Sequence, residues 1–380
     1  MRFRDLGLTV GQLAPGPLNA ITDVEGVRVG HTTLIRGEGP LVVGRGPVRT
    51  GVTVVVPHEE IEHAPLFAGC HRLNGNGEMT GLEWVRESGT LTTPVAITNT
   101  HSVGVVRDAL VAADVAKHPQ GGVHWSLPVV AETYDGDLSD INGMHVRAEH
   151  LHQALASATG GPVIEGNVGG GTGMICHDFK GGIGTASRRL APEEGGWTVG
   201  ALVQANHGMR ERLTVDGVPV GLEITRAEVP GPEDQVPPGL TAGPEAGSII
   251  VILATDAPLL PHQCDRLAQR AGLGIARAGG SGAHSSGDLF LSFSTANRGR
   301  LGSYKDDLPV ALVDVRMLPD TAISQLFWAA IEATEEAILN ALCAAETMTG
   351  RDGIAAYALP KDRLLEVMAK YGRAAATHPC

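Results

Sequence analysis

The sequence predicts an α/β fold in which helices are layered around antiparallel or mixed β-sheet. Short β-rich runs separated by turn residues fill positions 19 to 57, as in consecutive hairpins. Segments with helical spacing of apolar residues recur from position 107 and are longest near the carboxyl end. Strand-like runs lie between these helices, so the two kinds of element are mixed along the chain.

The first two thirds of the chain contain most of the expected strands. The first three are the runs GVRVGHTTL, GPLVVGRG and GVTVVVP. Apolar residues at helical spacing predict helices at 107–117 and 145–158, and HWSLPVVAETYDG between them predicts a strand ending in an Asp-Gly turn. The Gly-rich stretch 165–174 predicts a loop, and two further strands are expected in FKGGIGTASR and TVGALVQAN.

A Pro- and Gly-rich linker precedes the longer elements. Residues 227–247 contain five prolines and four glycines among 21 positions, a composition that prevents regular structure and predicts an exposed linker. The run from Ile249 to Leu253 is mostly β-branched and too short for a helix, so it predicts a buried strand. The elements expected after it are a helix at 261–279, strands at 288–295 and 308–317, and a long amphipathic helix over 319–348 that ends at Gly350.

Composition and charge argue against several classes of protein. The net charge is -13, whereas nucleic acids and anionic membranes are bound by clustered Lys and Arg, so neither is an expected partner. Five cysteines are scattered without CxxC spacing, which predicts a reducing compartment and neither a disulfide framework nor a zinc site. No signal-peptide core and no apolar run of roughly 18 residues is present, so a cytoplasmic protein is expected.

Three motifs that would indicate a cofactor, a metal or a hydrolase serine are incomplete. The Gly-rich loop 166–173 lacks the Gly-Lys pair of a Walker A loop, and Met174 stands where GxGxxG requires its last glycine. In HEEIEH, at 58–63, the histidines are five residues apart, which does not place them on one helical face for metal binding. A GxSxG elbow does not occur.

The Gly247-Ser248 pair at the end of the linker indicates another chemistry. If the Ser248 hydroxyl attacks the Gly247 carbonyl, an N-to-O acyl shift and hydrolysis cut the chain and leave Ser248 as a new amino terminus. Its α-amine, with a reference pKa of about 7.7–8.0, would then serve as the base for its own hydroxyl. Gly247 has no Cβ to obstruct the attack, and a rigid strand would hold the nucleophile. A domain junction that is never cut is the alternative, because Gly-Ser pairs are common.

Several blocks of the sequence together resemble the DmpA-type aminopeptidases, a family that includes L-aminopeptidase/D-esterases and β-peptidyl aminopeptidases. The blocks follow the family's order from about residue 17 to residue 350. They are LNAITDVEGVRVGHTT, TNTHSVG, VVAETYDG, EGNVGGGTGM, FKGGIGTASR, VQANHG, AGSIIVILATDAPLLPHQCDRLAQRAGLGIARAGG and SSGDLFLSFSTAN.

The resemblance implies one self-cleaving catalytic domain over residues 1–380. Cleavage between Gly247 and Ser248 would give a larger chain, 1–247, and a smaller chain, 248–380, that stay together. The implied fold is an α-β-β-α sandwich with two central mixed or antiparallel sheets, as in DmpA and ornithine acetyltransferase. The family also implies homo-oligomers, often tetramers of cut protomers, and no metal or organic cofactor.

The catalytic residues are carried over from the resemblance position by position. Ser248 is the expected nucleophile, and Ser286 and Asp288 would hydrogen-bond its α-amine and hydroxyl. Asn206 would supply the oxyanion hole through its amide N–H. Some β-peptidyl members carry glutamate at the position of Asp288, so a preference for β-peptides stays open.

Two further residues are expected to face the substrate. Tyr134 would lie beside the attacked bond, and Glu132 would meet the substrate's free ammonium group. If VVAETYDG is a strand, these two side chains lie on the same face. His207 stands where the family often has an aromatic residue, so this wall of the pocket is expected to differ.

The expected function is that of a cofactor-independent serine aminopeptidase that releases N-terminal residues from short peptides, amides and esters. One alternative on the same scaffold is a hydrolase of β-peptides or nylon-type oligomers. Another is acyl transfer of the ornithine acetyltransferase kind, although those proteins self-cleave before a threonine. A third is a binding protein in which Gly247-Ser248 remains intact.

Overall fold

Two mixed β-sheets stacked face to face, with helices on both outer sides, form the framework of the chain. The structure is a computed structural model that describes residues 1–118, 124–243, 247–302 and 312–373. The strands are β1 Arg28–Arg36, β2 Val48–Val56, β3 Leu66–Arg72, β4 Thr90–Leu91, β5 Val95–Asn99, β6 Val129–Thr133, β7 Ile175–Cys176, β8 Phe179–Lys180, β9 Gly182–Arg189, β10 Thr198–Asn206, β11 Ser248–Thr255, β12 Gly287–Ser294, β13 Met348–Thr349 and β14 Ala355–Ala356. The α-helices are α1 Leu82–Ser88, α2 Val103–Ala116, α3 Ala148–Ala156, α4 Val220–Glu223, α5 Pro261–Arg277, α6 Ser324–Ala344 and α7 Lys361–Lys370.

The strand order makes both large sheets mixed. The four-stranded sheet has the order β1-β2-β5-β6, in which only β5 and β6 are parallel. The six-stranded sheet has the order β4-β3-β12-β11-β10-β9, in which only β11 and β12 are parallel. The first two strands form an extended antiparallel pair, as the hairpin-like spacing of the sequence predicts.

Alternating side chains of β11 show why four layers form. Ile249, Val251 and Leu253 lie in the core between the six-stranded sheet and helices α5 and α6. Ile250 and Ile252 point the other way, into the core between the two sheets. Because both faces of this strand are covered, it is apolar at nearly every position, which is the pattern of a fully buried strand. The predicted buried strand is confirmed.

The outer face of the four-stranded sheet is covered in the same way. Val52 and Val54 of β2 pack with Val106 and Leu110 of α2 and with Leu151 of α3. The order of layers is therefore helix, sheet, sheet, helix, and the predicted α-β-β-α sandwich is confirmed.

Two predicted strands are wrong in the part of the chain that the structure describes. Most of GPLVVGRG forms a turn closed by the Val42–Gly46 bridge, and Val42 and Val43 are exposed. Three glycines at positive φ in this stretch, at positions 39, 44 and 46, explain why it turns. Residues 312–317 of the other predicted strand are exposed and irregular, and its residues 308–311 lie outside the described ranges.

The long carboxyl-proximal helix differs from the prediction in its length and its burial. Helix α6 has 21 residues, and β13 begins at the last position of the predicted helix. It is buried on most sides rather than amphipathic, because Glu332 and Glu336 form ion pairs with the buried Arg188. No helix in the described ranges is both long enough and apolar enough to cross a membrane.

Most of the described linker is irregular as predicted, although Pro232–Gln235 forms a short 3-10 helix, and the linker is only partly exposed. Val229 and Pro232 are buried, whereas residues 237–240 are exposed. Residues 244–246 lie outside the described ranges.

Candidate active site

Ser248 occupies the first position of β11, between two neighbouring strands. Asn206 of β10 is its antiparallel partner, and Gly287 of β12 is its parallel partner. The Gly287 N–H donates to Ser248 Oγ over 3.2 Å. The serine is 5% exposed. The register of the sheet and this backbone hydrogen bond therefore position the hydroxyl.

Gly247 approaches β10 so closely that a side chain would not fit without a shift. A Cβ at position 247 would stand 2.3 Å from the Asn206 carbonyl oxygen and 3.0 Å from His207 Cα. The absence of a Cβ thus allows the Gly247-Ser248 peptide bond to lie against the strand that carries Asn206.

The carboxylate of Asp288 is the centre of a small hydrogen-bond network beside Ser248. Ser286 Oγ donates to Asp288 Oδ1 at 2.6 Å, and the Ile249 N–H donates to the same oxygen at 3.2 Å. The Asn74 side chain donates to Asp288 Oδ2 at 3.2 Å and accepts from the Asp288 N–H at 2.7 Å. Burial raises the pKa of Asp288, and these donors act in the opposite direction. Within the described residues the network reaches Ile249, the residue next to Ser248, and not Ser248 itself.

The orientation of the Asn206 amide is fixed by one backbone donor. Asn206 Oδ1 accepts from the Ile175 N–H at 2.7 Å. An N–H can only donate, so the amide oxygen must face Ile175 and the NH2 group must point away from it. That NH2 group has no hydrogen-bond acceptor among the described residues, so it can serve an oxyanion.

Glu132 reaches the site from the other sheet. Its carboxylate accepts from the Glu78 N–H at 2.9 Å and from the Thr100 hydroxyl, and the residue is 3% exposed. Gly77 lies between Glu132 and the nucleophile's strand partner, because a Cβ there would stand 3.2 Å from Glu132 Oε1 and 3.0 Å from Gly287 Cα. Burial raises the pKa of Glu132, and its two donors oppose that effect.

Tyr134 and Asn206 line one small pocket, whose other wall is the linker. Burial raises the pKa of Tyr134, and its phenol lies against the backbone of Gly136. Ser248 is not among the lining residues in the uncut chain. The pocket, a cavity of about 40 Å³, is lined by Tyr134, Asp137, Ile175, Asp178, Asn206, His207, Gly208, Pro232, Glu233, Thr241 and Gly243.

Specific hydrogen bonds hold the linker over this pocket. The Ala242 N–H donates to Asp137 Oδ1 at 2.9 Å. Arg351 donates to the carbonyl oxygens of Gly136 and Leu240, so one guanidinium joins the Tyr134 loop to the linker. The linker is thus fixed over the pocket that Tyr134 and Asn206 line.

The structure brings Ser248, Asn206, Ser286 and Asp288 together on or beside neighbouring strands. Tyr134 shares a pocket with Asn206, and Glu132 approaches Gly287 across Gly77. Three further residues were not predicted from the sequence. Asn74 holds Asp288, Thr100 holds Glu132, and Gly77 lies between Glu132 and Gly287. The signal for Asn74 was the Asn-Gly-Asn-Gly stretch at 74–77, since asparagine in turns often bonds to nearby backbone. Thr100 carries no local signal, because its partner lies 32 residues away.

Three groups of side chains among the described residues could hold a metal ion. Cys176, His177 and His207 form a buried group. The other two groups lie nearer the surface and share His118; one is Glu62, His63 and His118, and the other is Asp114, His118 and His124. HEEIEH thus contributes two of its residues to a potential site through His118, a partner from another part of the chain. The segment forms turns instead of a helix, so the helical spacing of its histidines does not decide whether they can bind a metal.

An α-β-β-α sandwich with a serine at the start of an inner strand defines the class of N-terminal-nucleophile (Ntn) hydrolases. Comparisons with known proteins agree with this class. The family model of Peptidase family S58 matches residues 19–356. The chain is 50% identical to the β-peptidyl aminopeptidase BapA of Sphingosinicella microcystinivorans, over 99% of this chain and 93% of that protein.

Two solved structures share the whole fold. A β-aminopeptidase of Burkholderia sp. is 55% identical, with a TM-score of 0.89 over 98% of this chain and 99% of that one. The L-aminopeptidase D-Ala-esterase/amidase of Ochrobactrum anthropi, described as a prototype of the serine aminopeptidases with a variant of the Ntn-hydrolase fold, is 46% identical. Its TM-score is 0.88 over 98% and 99% of the two chains. The chain belongs to peptidase family S58, and it is a serine aminopeptidase of the Ntn-hydrolase type.

Proposed function

We propose that the chain cuts itself between Gly247 and Ser248 and then uses Ser248 to release N-terminal residues from short peptides, amides and esters. The observation that carries this proposal is the position of Ser248, which is held by register between Asn206 and Gly287 at the end of the linker. The family resemblance assigns further roles in the reaction to Tyr134, Ser286, Asp288 and Glu132.

Maturation needs only groups that the fold already places together. Ser248 Oγ attacks the Gly247 carbonyl carbon, and the peptide nitrogen leaves as the α-amine of Ser248. The resulting ester is hydrolysed by water, which leaves Gly247 as a carboxylate. The new chain end at Gly247 can then move off β10, and the linker can clear the pocket that it lines.

Catalysis repeats the attack on a substrate. The α-amine of Ser248 accepts the proton of its own hydroxyl, and Oγ attacks the substrate carbonyl. The NH2 group of Asn206 donates to the developing oxyanion. The proton then passes to the leaving amine, and water hydrolyses the acyl-enzyme. Ser286 and Asp288 position the α-amine of Ser248 indirectly, because Asp288 accepts a hydrogen bond from the N–H of Ile249, the next residue.

Gly247→Ala should impair maturation while leaving the fold intact. The added Cβ would meet the Asn206 carbonyl at 2.3 Å, so the scissile bond must shift away from β10. We expect uncut chain to accumulate on denaturing gels over hours, with circular dichroism like that of the parent. Gly243→Ala in the same linker is the matched control, since nothing lies within 4 Å of its Cβ position, although its φ of +85 adds some strain. Cleavage of Gly247→Ala at the parent rate would contradict the close approach.

Glu132 should distinguish free from blocked amino termini. An acetylated substrate leaves the buried carboxylate without its ammonium partner, a penalty of roughly 1–3 kcal/mol, so turnover should fall roughly tenfold or more. Glu132→Gln should reduce the difference mainly by lowering kcat/KM for the substrate with a free amino terminus. Matched acetylated and free p-nitroanilides measure both values. Because burial raises the pKa of Glu132, discrimination should weaken as the pH falls toward that pKa.

Equal turnover of acetylated and free substrates would make this an endo-acting amidase. Glu78→Gln is a suitable control for Glu132→Gln, because Glu78 contributes its backbone N–H to the carboxylate and keeps that donor in the variant.

Hydrolysis of β-peptides is a second candidate, and two of the compared proteins favour it. The BapA relative and the Burkholderia structure are both named for β-amino-acid substrates. A panel of aminoacyl p-nitroanilides with L, D and β residues decides between a preference for α-amino acids and a preference for β-amino acids. Nylon-type oligomers belong in the same panel.

Two broader properties complete the proposal. We expect homo-oligomers, such as tetramers of cut protomers, which light scattering after gel filtration would detect. We also expect a cytoplasmic location, supported by Cys70, Cys176, Cys264 and Cys343, which are all buried free thiols.

A further inference from the structure

Cys176, His177 and His207 form a buried cluster that takes no part in the proposed hydrolysis. One potential ligand atom from each lies within 4.8 Å of the other two. Cys176 Sγ is 3.8 Å from His207 Nδ1, and the two imidazole rings are 5.3 Å apart between centroids. All three residues are buried.

Each imidazole of the cluster has a buried nitrogen without a hydrogen-bond partner. His177 Nδ1 contacts the Met209 carbonyl at 2.9 Å, so Nδ1 carries the proton and Nε2 presents a lone pair. Within the described ranges neither His177 Nε2 nor His207 Nε2 meets a partner. Burial lowers the pKa of both rings. Unsatisfied buried nitrogens are rare in proteins and call for a ligand or another explanation.

The chemistry of these three groups suits a thiophilic metal ion. A thiolate and two neutral imidazoles are ligands for Zn²⁺ and for related ions such as Co²⁺. The Met209 carbonyl orients His177 in the way that partners of metal-bound histidines do. The backbone also makes room for that ring, because a Cβ at Gly208, where φ is +87, would stand 2.3 Å from His177 Cε1.

We propose that Cys176, His177 and His207 bind one transition-metal ion of the Zn²⁺ class and that this ion inhibits hydrolysis. On binding, the Cys176 thiol releases its proton to solvent and a metal–sulfur bond forms. Three protein ligands leave a fourth position for water. The inhibitory part rests on the proposed function, whereas the binding part does not.

The position of the cluster explains the inhibition. Cys176 and His207 directly follow Ile175 and Asn206, the two residues whose hydrogen bond orients the Asn206 amide. His207 also lines the pocket beside Tyr134. An ion held there adds positive charge and rigidity to the wall that must accommodate the substrate and the oxyanion.

Titration with Co²⁺ tests the site directly, in a His118→Ala background. That substitution removes one ligand from each of the two groups nearer the surface, because His118 belongs to both. We expect one equivalent of Co²⁺ to produce the thiolate-to-cobalt charge-transfer band in the near ultraviolet, with hydrolysis lost in step and restored by EDTA. Cys176→Ser should abolish the band, and its activity should become insensitive to the ion.

Several results would overturn the proposal. They are absence of the band, persistence of the band in Cys176→Ser, and full hydrolytic activity with the ion bound. If Cys176→Ser does not fold, His177→Phe retains the ring volume, removes both nitrogens and should weaken Co²⁺ binding. The band is read on any folded chain, cut or uncut, so failure of the active-site proposal would not be mistaken for failure of the metal site.

Discussion

Replacement of Ser248 by alanine should leave a single full-length chain with no aminopeptidase activity. The parent should run as two unequal bands, and sequencing of the smaller band should begin Ser-Ile-Ile-Val. The effect is total because one hydroxyl serves both reactions, cutting the chain and then attacking the substrate. Denaturing gels and a p-nitroanilide assay measure the two losses separately.

The Ser248→Ala variant should still fold, since alanine fits the first position of β11 and, among the described residues, Ser248 Oγ is hydrogen-bonded by the Gly287 N–H alone. If it is still cut, an outside protease is responsible and the mechanism fails. If the parent itself stays uncut and inactive, the chain is a binding protein. Ser281→Ala, a serine in the segment before β12, is a matched control that should be cut and active.

Asn206→Ala should lower kcat by about 10²–10³ with a much smaller change in KM. The amide donates to an oxyanion that exists only in the transition state, so its loss hardly affects binding of the ground state. Steady-state kinetics on the best substrate of the L, D and β panel give both constants.

The cut fraction of Asn206→Ala must be measured first, because the same amide can assist maturation. Asn206→Asp is the informative companion, since it retains the oxygen that accepts from Ile175 and removes the NH2 donors. A cut and assembled alanine variant with near-normal kcat would remove Asn206 from the site.

Local pattern was enough to predict most of the framework. β11 is apolar at consecutive positions because layers cover both of its faces, and such a run is visible without any knowledge of its neighbours. The valines of GPLVVGRG predict a strand, but glycines at positive φ turn the chain there. The burial of α6 could not be predicted either, because Arg188, the ion-pair partner of its glutamates, lies far away in the sequence, on β9.

The active site was predictable only where the chain itself carries the signal. The Gly247-Ser248 pair after a linker indicates a chemistry by its own composition. The residues that hold Glu132, namely Glu78 and Thr100, come from two other segments, and no spacing rule connects them. The position of the linker over the pocket was also not predicted. Composition indicates that a linker is irregular, but it does not indicate where the linker lies.

The order of strands around the cut has a consequence for how the mature enzyme fails. After cleavage, β11 and β12 would belong to the smaller chain and would lie between β10 and β3 of the larger chain, so the two fragments share one sheet. Once melted, the cut protein must reassemble by a bimolecular encounter of two incomplete partners with open sheet edges. Heat inactivation should therefore be irreversible and governed by the rate of unfolding, whereas the uncut Ser248→Ala chain can recover as one molecule.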